Sequence, residues 1–354
     1  MLVSVRRLES EVDGTPSRKA DHLRINLEHD VGAKGVRSGF EAFRFRHCAL
    51  PEIDLADVST RTALFGRELQ APLLISSMTG GTAQAQTINR TLAAVAQKHR
   101  IAMGLGSGRA LLEHPELRAT FDVRDTARDA LLLANLGAVQ LNRGYGIAEC
   151  KRIVDLLQAD ALILHLNPLQ EALQAEGDTV FRGLLGKIEA LCKALDIPVV
   201  VKEVGWGLSD SVVSALFDAG ATAVDVAGAG GTSWSEVERY RLSEPWRARV
   251  AARFANWGIP TAESLIAARA AAPNKTIIAS GGLRDGVDVA KALALGADGA
   301  GIAAPFLHAA SDGPEAADAC AREIMETLRV AMFSVGASTL AELRSENRLY
   351  RIES

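Results

Sequence analysis

Eight times along the chain, a short apolar run rich in branched side chains stops at a small or polar residue and gives way to a helical pattern. The runs cover residues 73–76, 101–105, 131–136, 161–166, 198–204, 223–227, 276–280 and 299–303. Apolar residues at successive positions, rather than alternate ones, mark strands buried on both faces, as in parallel sheets. Helical periodicity follows at 84–100, 147–158, 181–195, 210–219, 262–272 and 287–295. Strand–helix alternation requires parallel strands joined by right-handed crossovers. Eight such units fit an α/β fold closed into a TIM-type (β/α)8 barrel better than an open sheet.

The remaining sequence flanks or interrupts this rhythm. Residues 1–60 are expected to form an N-terminal extension: a loose leader to about 17, a basic helical stretch, a glycine-rich mobile loop at 32–39 and short strands within 43–58. The barrel is expected over 61–335, with a closing helical region from 314, and a polar tail over 336–354. The link from the sixth run to the seventh, 228–260, carries Trp234, Tyr240, Trp246 and Trp257 and is long enough to be a functional loop or lid.

Composition narrows the functional classes. A net charge of −4 over 354 residues supplies no global basic field for nucleic acid. No run reaches the roughly 18 apolar residues of a membrane span, and the first residues lack the apolar core of a signal peptide. Cys48, Cys150, Cys192 and Cys320 are far apart and lack metal-type spacing, which fits free thiols in a reducing cytoplasm.

In a barrel, chemistry gathers at the C-terminal ends of the strands. The densest such end is His165-Leu166-Asn167-Pro168-Leu169-Gln170-Glu171, where Pro168 stops the strand because it has no N–H for the ladder. His165 fits either a satisfied core histidine or a catalyst; Glu171 fits either a helix-start carboxylate or an oxygen ligand for Mg2+. Lys202 ends a buried run and needs either a carboxylate, Glu203 or another, or an electron-rich ring beside it. Gly281-Gly282 and the residues to Ala304 close the seventh and eighth units, where such barrels commonly bind phosphate, with the helix opening near Asp285 facing the anion. Thr79, Ser107, Asn135, Lys202 and Thr232 at five strand ends describe a flat heteroaromatic cofactor with a phosphate tail, which suggests flavin mononucleotide.

Seven segments, in order, carry a more specific signal: Arg18-Lys19-x-Asp21-His22, Ser77-Met78-Thr79-Gly80-Gly81, Gly106-Ser107-x-Arg109, Asn135-Leu136-Gly137, His165-x-Asn167-Pro168-x-Gln170-Glu171, Val201-Lys202-Glu203-Val204-Gly205 and Gly230-Gly231-Thr232-Ser233-Trp234. Together they resemble the type 2 isopentenyl-diphosphate isomerases. The resemblance implies an FMN- and Mg2+-dependent enzyme that interconverts isopentenyl and dimethylallyl diphosphate in isoprenoid biosynthesis. NADPH or NADH reduces the flavin without net redox change. It implies that Ser77, Met78, Thr79, Ser107, Asn135, Lys202, Thr232, Gly281, Gly282, Ala303 and Ala304 hold FMN. Arg18, Lys19, His22, Ser107, Arg109, Asn167 and Gln170 would meet the substrate, and Glu171 the metal. Gln170, His165 and Lys202 are then the candidate catalytic residues. A homo-oligomer, a tetramer or octamer, is the expected assembly.

Two rivals stand beside this reading. A hydroxy-acid oxidase on a similar barrel needs a histidine base near the seventh strand, where this chain has Ser280-Gly281-Gly282-Leu283-Arg284. A flavin- or phosphate-binding module without turnover is the other.

Overall fold

The computed structural model describes residues 15–345 and 348–352. All eight runs form barrel strands. Before them come β1 (Phe43–Phe45), β2 (Thr62–Leu64) and β3 (Arg67–Leu69); the barrel comprises β4 (Leu73–Ile75), β5 (Ala102–Gly104), β6 (Leu132–Gly137), β7 (Ala161–Leu166), β8 (Val199–Glu203), β9 (Ala223–Asp225), β10 (Thr276–Ser280) and β11 (Gly299–Ile302). They pair in parallel and in chain order, and β11 closes on β4 through Ala300–Leu73 and Ile302–Ile75.

Helices cover the barrel where the periodicity predicts them: α2 (Ala83–His99), α4 (Ile147–Leu157), α6 (Leu184–Ala194), α7 (Asp210–Asp218), α10 (Thr261–Ala271) and α11 (Gly286–Ala294). Short α3 (Arg109–Glu113) and α5 (Pro168–Leu173) start directly after strand ends, as does α12 (Ala304–Asp312), and α13 (Pro314–Phe333) packs outside α11 and α12. Two main apolar cores result, beside a small cluster of Ile25, Val31 and Val237. One lies between strands and helices; the other is a narrow plug inside the barrel, including Leu74, Ala102, Leu133, Ile163, Val200 and Ile278.

The plug is sealed from below by the β2–β3 hairpin, whose Leu64 and Leu69 pack against it. Its two-residue turn, Phe65-Gly66, has positive φ at both positions (50° and 77°), which matches a hairpin's twist. A phenylalanine at a left-handed position is an unusual turn signal, which is why the hairpin is not evident from sequence.

Three expectations for the flanks change. The 32–39 loop is tied down, not mobile: Ala33 N–H donates to the Gly231 carbonyl at 2.9 Å, and Lys34 N–H to that of Ala255 at 2.9 Å. The 228–260 link is not one open loop but carries two helices, α8 (Trp234–Arg241) and α9 (Pro245–Ala252). The segment from 336 is not a free tail where described: it holds α14 (Leu340–Leu343) and β12 (Leu349–Arg351), which pairs antiparallel with β1. Of the expected 1–17 leader, 1–14 lie outside the described residues, and Thr15 already opens α1 (Thr15–Glu28).

On the face opposite the strand C-termini, two arginines repeat one construction four strands apart. Arg124 donates to the carbonyls of Ala127, Ala130 and Gln158 and to Asp160 Oδ2 (2.6–3.0 Å), and Asp160 accepts the Leu132 N–H. Arg269 does the same with Gly296, Pro273 and Lys275 and with Asp298, which accepts the Ile277 N–H. Each guanidinium fixes the turn that launches the next strand. Arg124→Ala removes the donor to three carbonyls and one of the two arginines on Asp160, whose other oxygen keeps Arg67 at 2.6 Å, so we expect a loss of about 1–3 kcal/mol, read as a lower melting temperature. Exposed Arg322→Ala is the control with little effect.

Candidate active site at the barrel mouth

The strand C-termini open into one cavity of about 610 Å³. Every site residue singled out from the sequence lines it, from Arg18 on α1 to Ala304 at the start of α12. Three walls can be distinguished by chemistry.

The first wall is backbone and hydroxyl. Gly281 and Gly282 follow β10 with φ of 102° and 74°. A Cβ at Gly281 would stand 2.1 Å from the Gly228 carbonyl oxygen, and one at Gly282 would stand 2.6 Å from that of Gly230, so only glycine lets these two strand-end loops meet. Asp285 caps α11 by accepting the Val287 and Asp288 N–H groups at 2.9 Å, so the start of that helix already has a side-chain partner. α12 begins at once after β11 and has no side-chain cap at Ala303, which leaves its N-terminus facing the cavity. On the neighbouring strand end, Ser76 Oγ and Ser77 Oγ are buried without a hydrogen-bond partner. The structure there suits a ligand rich in acceptors and donors.

The second wall is the floor. Lys202 Nζ donates to the Glu203 carbonyl at 2.7 Å and stands 3.7 Å from Asp225 Oδ2. The Glu203 carboxylate is turned away: Oε2 accepts the N–H groups of Val204, Gly205 and Trp206 at 2.5–2.7 Å. Burial nevertheless pushes the Glu203 pKa up to about 7, against those three hydrogen bonds. His165 Nδ1 lies 2.7 Å from Asn135 Oδ1. Burial first, then the charges of Lys202 and Lys19, lower the His165 pKa to about 4, so the ring is neutral at physiological pH. Against the carbonyl oxygen of Asn135, Nδ1 carries the hydrogen and Nε2 is the acceptor.

The third wall is cationic. Lys19 Nζ donates to the Ser107 carbonyl at 2.8 Å and sits 4.7 Å from the Phe121 ring centre. Burial, reinforced by Arg18, lowers its pKa to about 7. Arg109 is anchored by Glu113 at 2.7 Å, and Tyr145 donates to the same Glu113 oxygen at 2.7 Å. Arg18 reaches Gln174 at 3.4 Å. Between this wall and the floor, Asn167 Nδ2 donates to Gln170 Oε1 (3.1 Å) and Glu171 Oε1 (2.9 Å), and the Asp178 N–H donates to Glu171 Oε2 at 2.6 Å. Glu171 is thus held by two donors with its remaining lone pairs available. Among the described residues no three His, Cys, Asp or Glu side chains cluster as a metal cage.

Glu238 was not evident as a site residue from sequence. It is buried on α8, accepts from Gln170 Nε2 at 3.2 Å and lies 3.0 Å from His22 Nε2. Burial works against its charge, but His22, Arg241 and Gln170 outweigh that and hold its pKa below the usual carboxylate range. The signal available was a glutamate four residues after Trp234 in the GGTSW segment, on a helix that the long link obscured. Ser76, Gln174 and Trp234 also line the cavity.

The neutral state of His165 is directly measurable. In 15N-edited NMR its ring nitrogens should keep neutral-imidazole shifts from pH 8 down to about 5, against an ordinary midpoint near 6.5; a midpoint above 6 would contradict the burial argument.

A family model described as FMN-dependent dehydrogenase matches residues 13–113 and 156–350. Curated relatives named isopentenyl-diphosphate delta-isomerase are 56% identical over 93% of this chain and 94% of the relative in Synechococcus sp.. The corresponding figures are 51% over 96% and 97% in Nostoc sp., and 52% over 94% and 96% in Stutzerimonas stutzeri. Among solved structures, a flavocytochrome b2 mutant is similar at a TM-score of 0.70 and 19% identity, over 93% of this chain and 82% of that one. A mandelate oxidase has a TM-score of 0.65 at 19% identity, over 95% and 96%; these two likenesses establish the barrel only. The relatives at half identity over nearly the whole length settle the family: the chain belongs to the FMN-dependent, type 2 isopentenyl-diphosphate delta-isomerases.

Proposed function

We propose that the barrel mouth interconverts isopentenyl and dimethylallyl diphosphate, with reduced FMN in the cavity and Mg2+ on the diphosphate. The observation that carries this reading is the shared cavity itself: the cationic wall, the Glu171 carboxylate and the glycine-and-hydroxyl wall face one another across it. FMN, when bound reduced, supplies and accepts protons at its ring nitrogens, the chemistry that moving a double bond requires.

The chain's own share is holding and orienting. Ser77, Met78, Thr79, Ser107, Asn135, Lys202 and Thr232 are assigned to the flavin ring and its ribityl chain, and Gly281, Gly282, Ala303 and Ala304 to its phosphate. The unpartnered Ser77 hydroxyl and the uncapped start of α12 fit that assignment. Lys202 is assigned to the ring, where its ammonium stabilises the negative charge of the reduced form. Arg18, Lys19, His22, Arg109, Ser107 and Asn167 are assigned to the diphosphate. One carboxylate plus substrate oxygens is the usual way Mg2+ is held, which suits Glu171 standing without a cage. Gln170 then lies between the metal side and Glu238, oriented by hydrogen bonds at both ends of its amide, a position from which it steers the alkene. His165, neutral, is assigned to accept or donate a hydrogen bond without adding charge. NADPH or NADH is the reductant, used to prime the flavin. A homo-oligomer in the cytoplasm is part of the same reading, and exposed Trp246 and Trp257 on the insertion are surfaces suited to a partner copy.

The purified protein should be yellow, and after anaerobic reduction it should convert isopentenyl diphosphate to dimethylallyl diphosphate only with Mg2+ present. Glu171→Gln should lower kcat/KM by roughly a hundredfold and raise the Mg2+ requirement. Arg18→Ala should raise KM about tenfold with kcat nearly kept. A colourless protein, or one inert after reduction, would favour the non-catalytic binding module.

Lys19 adds a pH dependence. Its free-state pKa of about 7 is lowered by burial, and a diphosphate anion beside it restores the charged form. Substrate binding therefore takes up a proton above pH 7, and affinity should fall as pH rises from 7 to 9. Calorimetry in buffers of different ionisation enthalpy should detect the uptake, and Lys19→Gln should abolish it.

A further inference from the structure

One buried acid behind the cavity floor has no part in the reading above. Asp225 ends β9 with no exposed surface, and it is the direct register neighbour of Lys202 on β8. Its two oxygens differ sharply. Oδ1 accepts from Ser280 Oγ at 2.7 Å and from the Ala227 N–H at 3.2 Å. Oδ2 has no hydrogen-bond donor and faces the Lys202 ammonium at 3.7 Å. Glu203 also feels the charge of Lys202, but its Oε2 is turned to three backbone N–H groups, and the carboxylate within ion-pair distance of the ammonium is that of Asp225. His165 is neutral and brings no competing charge.

A buried cation is tolerated only when it is paired and hydrogen-bonded. Here the hydrogen bond goes to a carbonyl and the pairing to Asp225. Asp225 is itself held from the far side by Ser280 and Ala227, so it is a rigid stop. We propose that Asp225 is a positioning residue for Lys202: its unshared Oδ2 fixes where the ammonium stands under the flavin and so how well the floor stabilises the reduced ring. The proposal rests on the FMN reading and extends it to a residue that does not line the cavity.

Asp225→Asn isolates the effect. The asparagine oxygen can keep both Oδ1 contacts, while its amide puts a donor against the ammonium, which must swing away from the floor. Reduced FMN should then bind about tenfold more weakly relative to oxidised FMN, seen as a more negative midpoint potential in dye equilibration. In a Lys202→Met background the same substitution should change that ratio less than twofold, because groups that act through one another are not additive. Two results overturn the proposal. A more positive potential means that the lost negative charge acts directly on the ring. An equal shift in both backgrounds means that Asp225 merely shapes the floor. Should the asparagine variant not fold, Asp225→Ser is read in the same way. A wild type that holds no flavin overturns the FMN reading and this proposal together; a flavin-loaded wild type with an unmoved Asp225→Asn potential overturns this proposal alone.

Discussion

Closure of eight parallel strands into a barrel is the constraint on which everything else depends. A closed sheet has no edge, so every backbone group in it is paired. All strands run the same way, so every residue just beyond a strand arrives at one rim. The interior is too narrow for more than an apolar plug, here including Leu74, Leu133, Ile163, Val200 and Ile278. Polar side chains can therefore enter the barrel only above that plug. Asn135, His165, Lys202 and Asp225 occupy that layer, and their burial follows from the geometry that brings them together.

Burial then sets their charges against one another. Lys202 keeps a carboxylate beside it, while His165 gives up its proton to the same surroundings. Lys19, carried in from outside the barrel, is left balanced near neutrality by burial and two arginines. The arm that carries it is part of the wall. Gly32 bridges Thr232, the Ser233 N–H donates to the Val31 carbonyl, and His22 packs edge-on against Trp234 at 5.2 Å. The segment that supplies cations and the insertion that supplies Thr232 and Glu238 are thus one layer over the cavity. A change in either alters the other.

What was legible in the sequence follows from how local each signal is. Strands buried on both faces announce themselves in four or five residues, and all eight were visible to within about two residues at each end. Residues at strand ends were legible as a set because the barrel makes their convergence a topological certainty. Signals that depend on distant partners were not. Nothing local says that 32–39 will be hydrogen-bonded to 231 and 255, or that residues 349–351 will pair with 43–45. Glu238 belongs to the same class: its role comes from two contacts, with residues 216 and 68 positions away. Asp285 has two competing uses in the sequence, ligand neighbour or cap, and the geometry makes it the cap of α11.

The barrel alone does not choose the reaction. A mandelate oxidase and a flavocytochrome b2 share its shape at 19% identity, and a shared fold does not fix a shared function. What differs in this chain lies above the rim. After β10 there is glycine and leucine rather than a histidine base, and the space over the floor is walled by α1, α5 and α8. Those three elements bring Arg18, Lys19 and His22, Gln170 and Glu171, and Glu238 to one side. Arg18, Lys19 and the Glu171 carboxylate on that side suit a multiply charged anion held with a cation. Under the proposed reading, that side fixes the diphosphate and so orients the carbon skeleton over the floor. Under that reading, the choice between oxidation and isomerisation lies with the elements that hold the substrate, since the barrel alone does not specify a reaction.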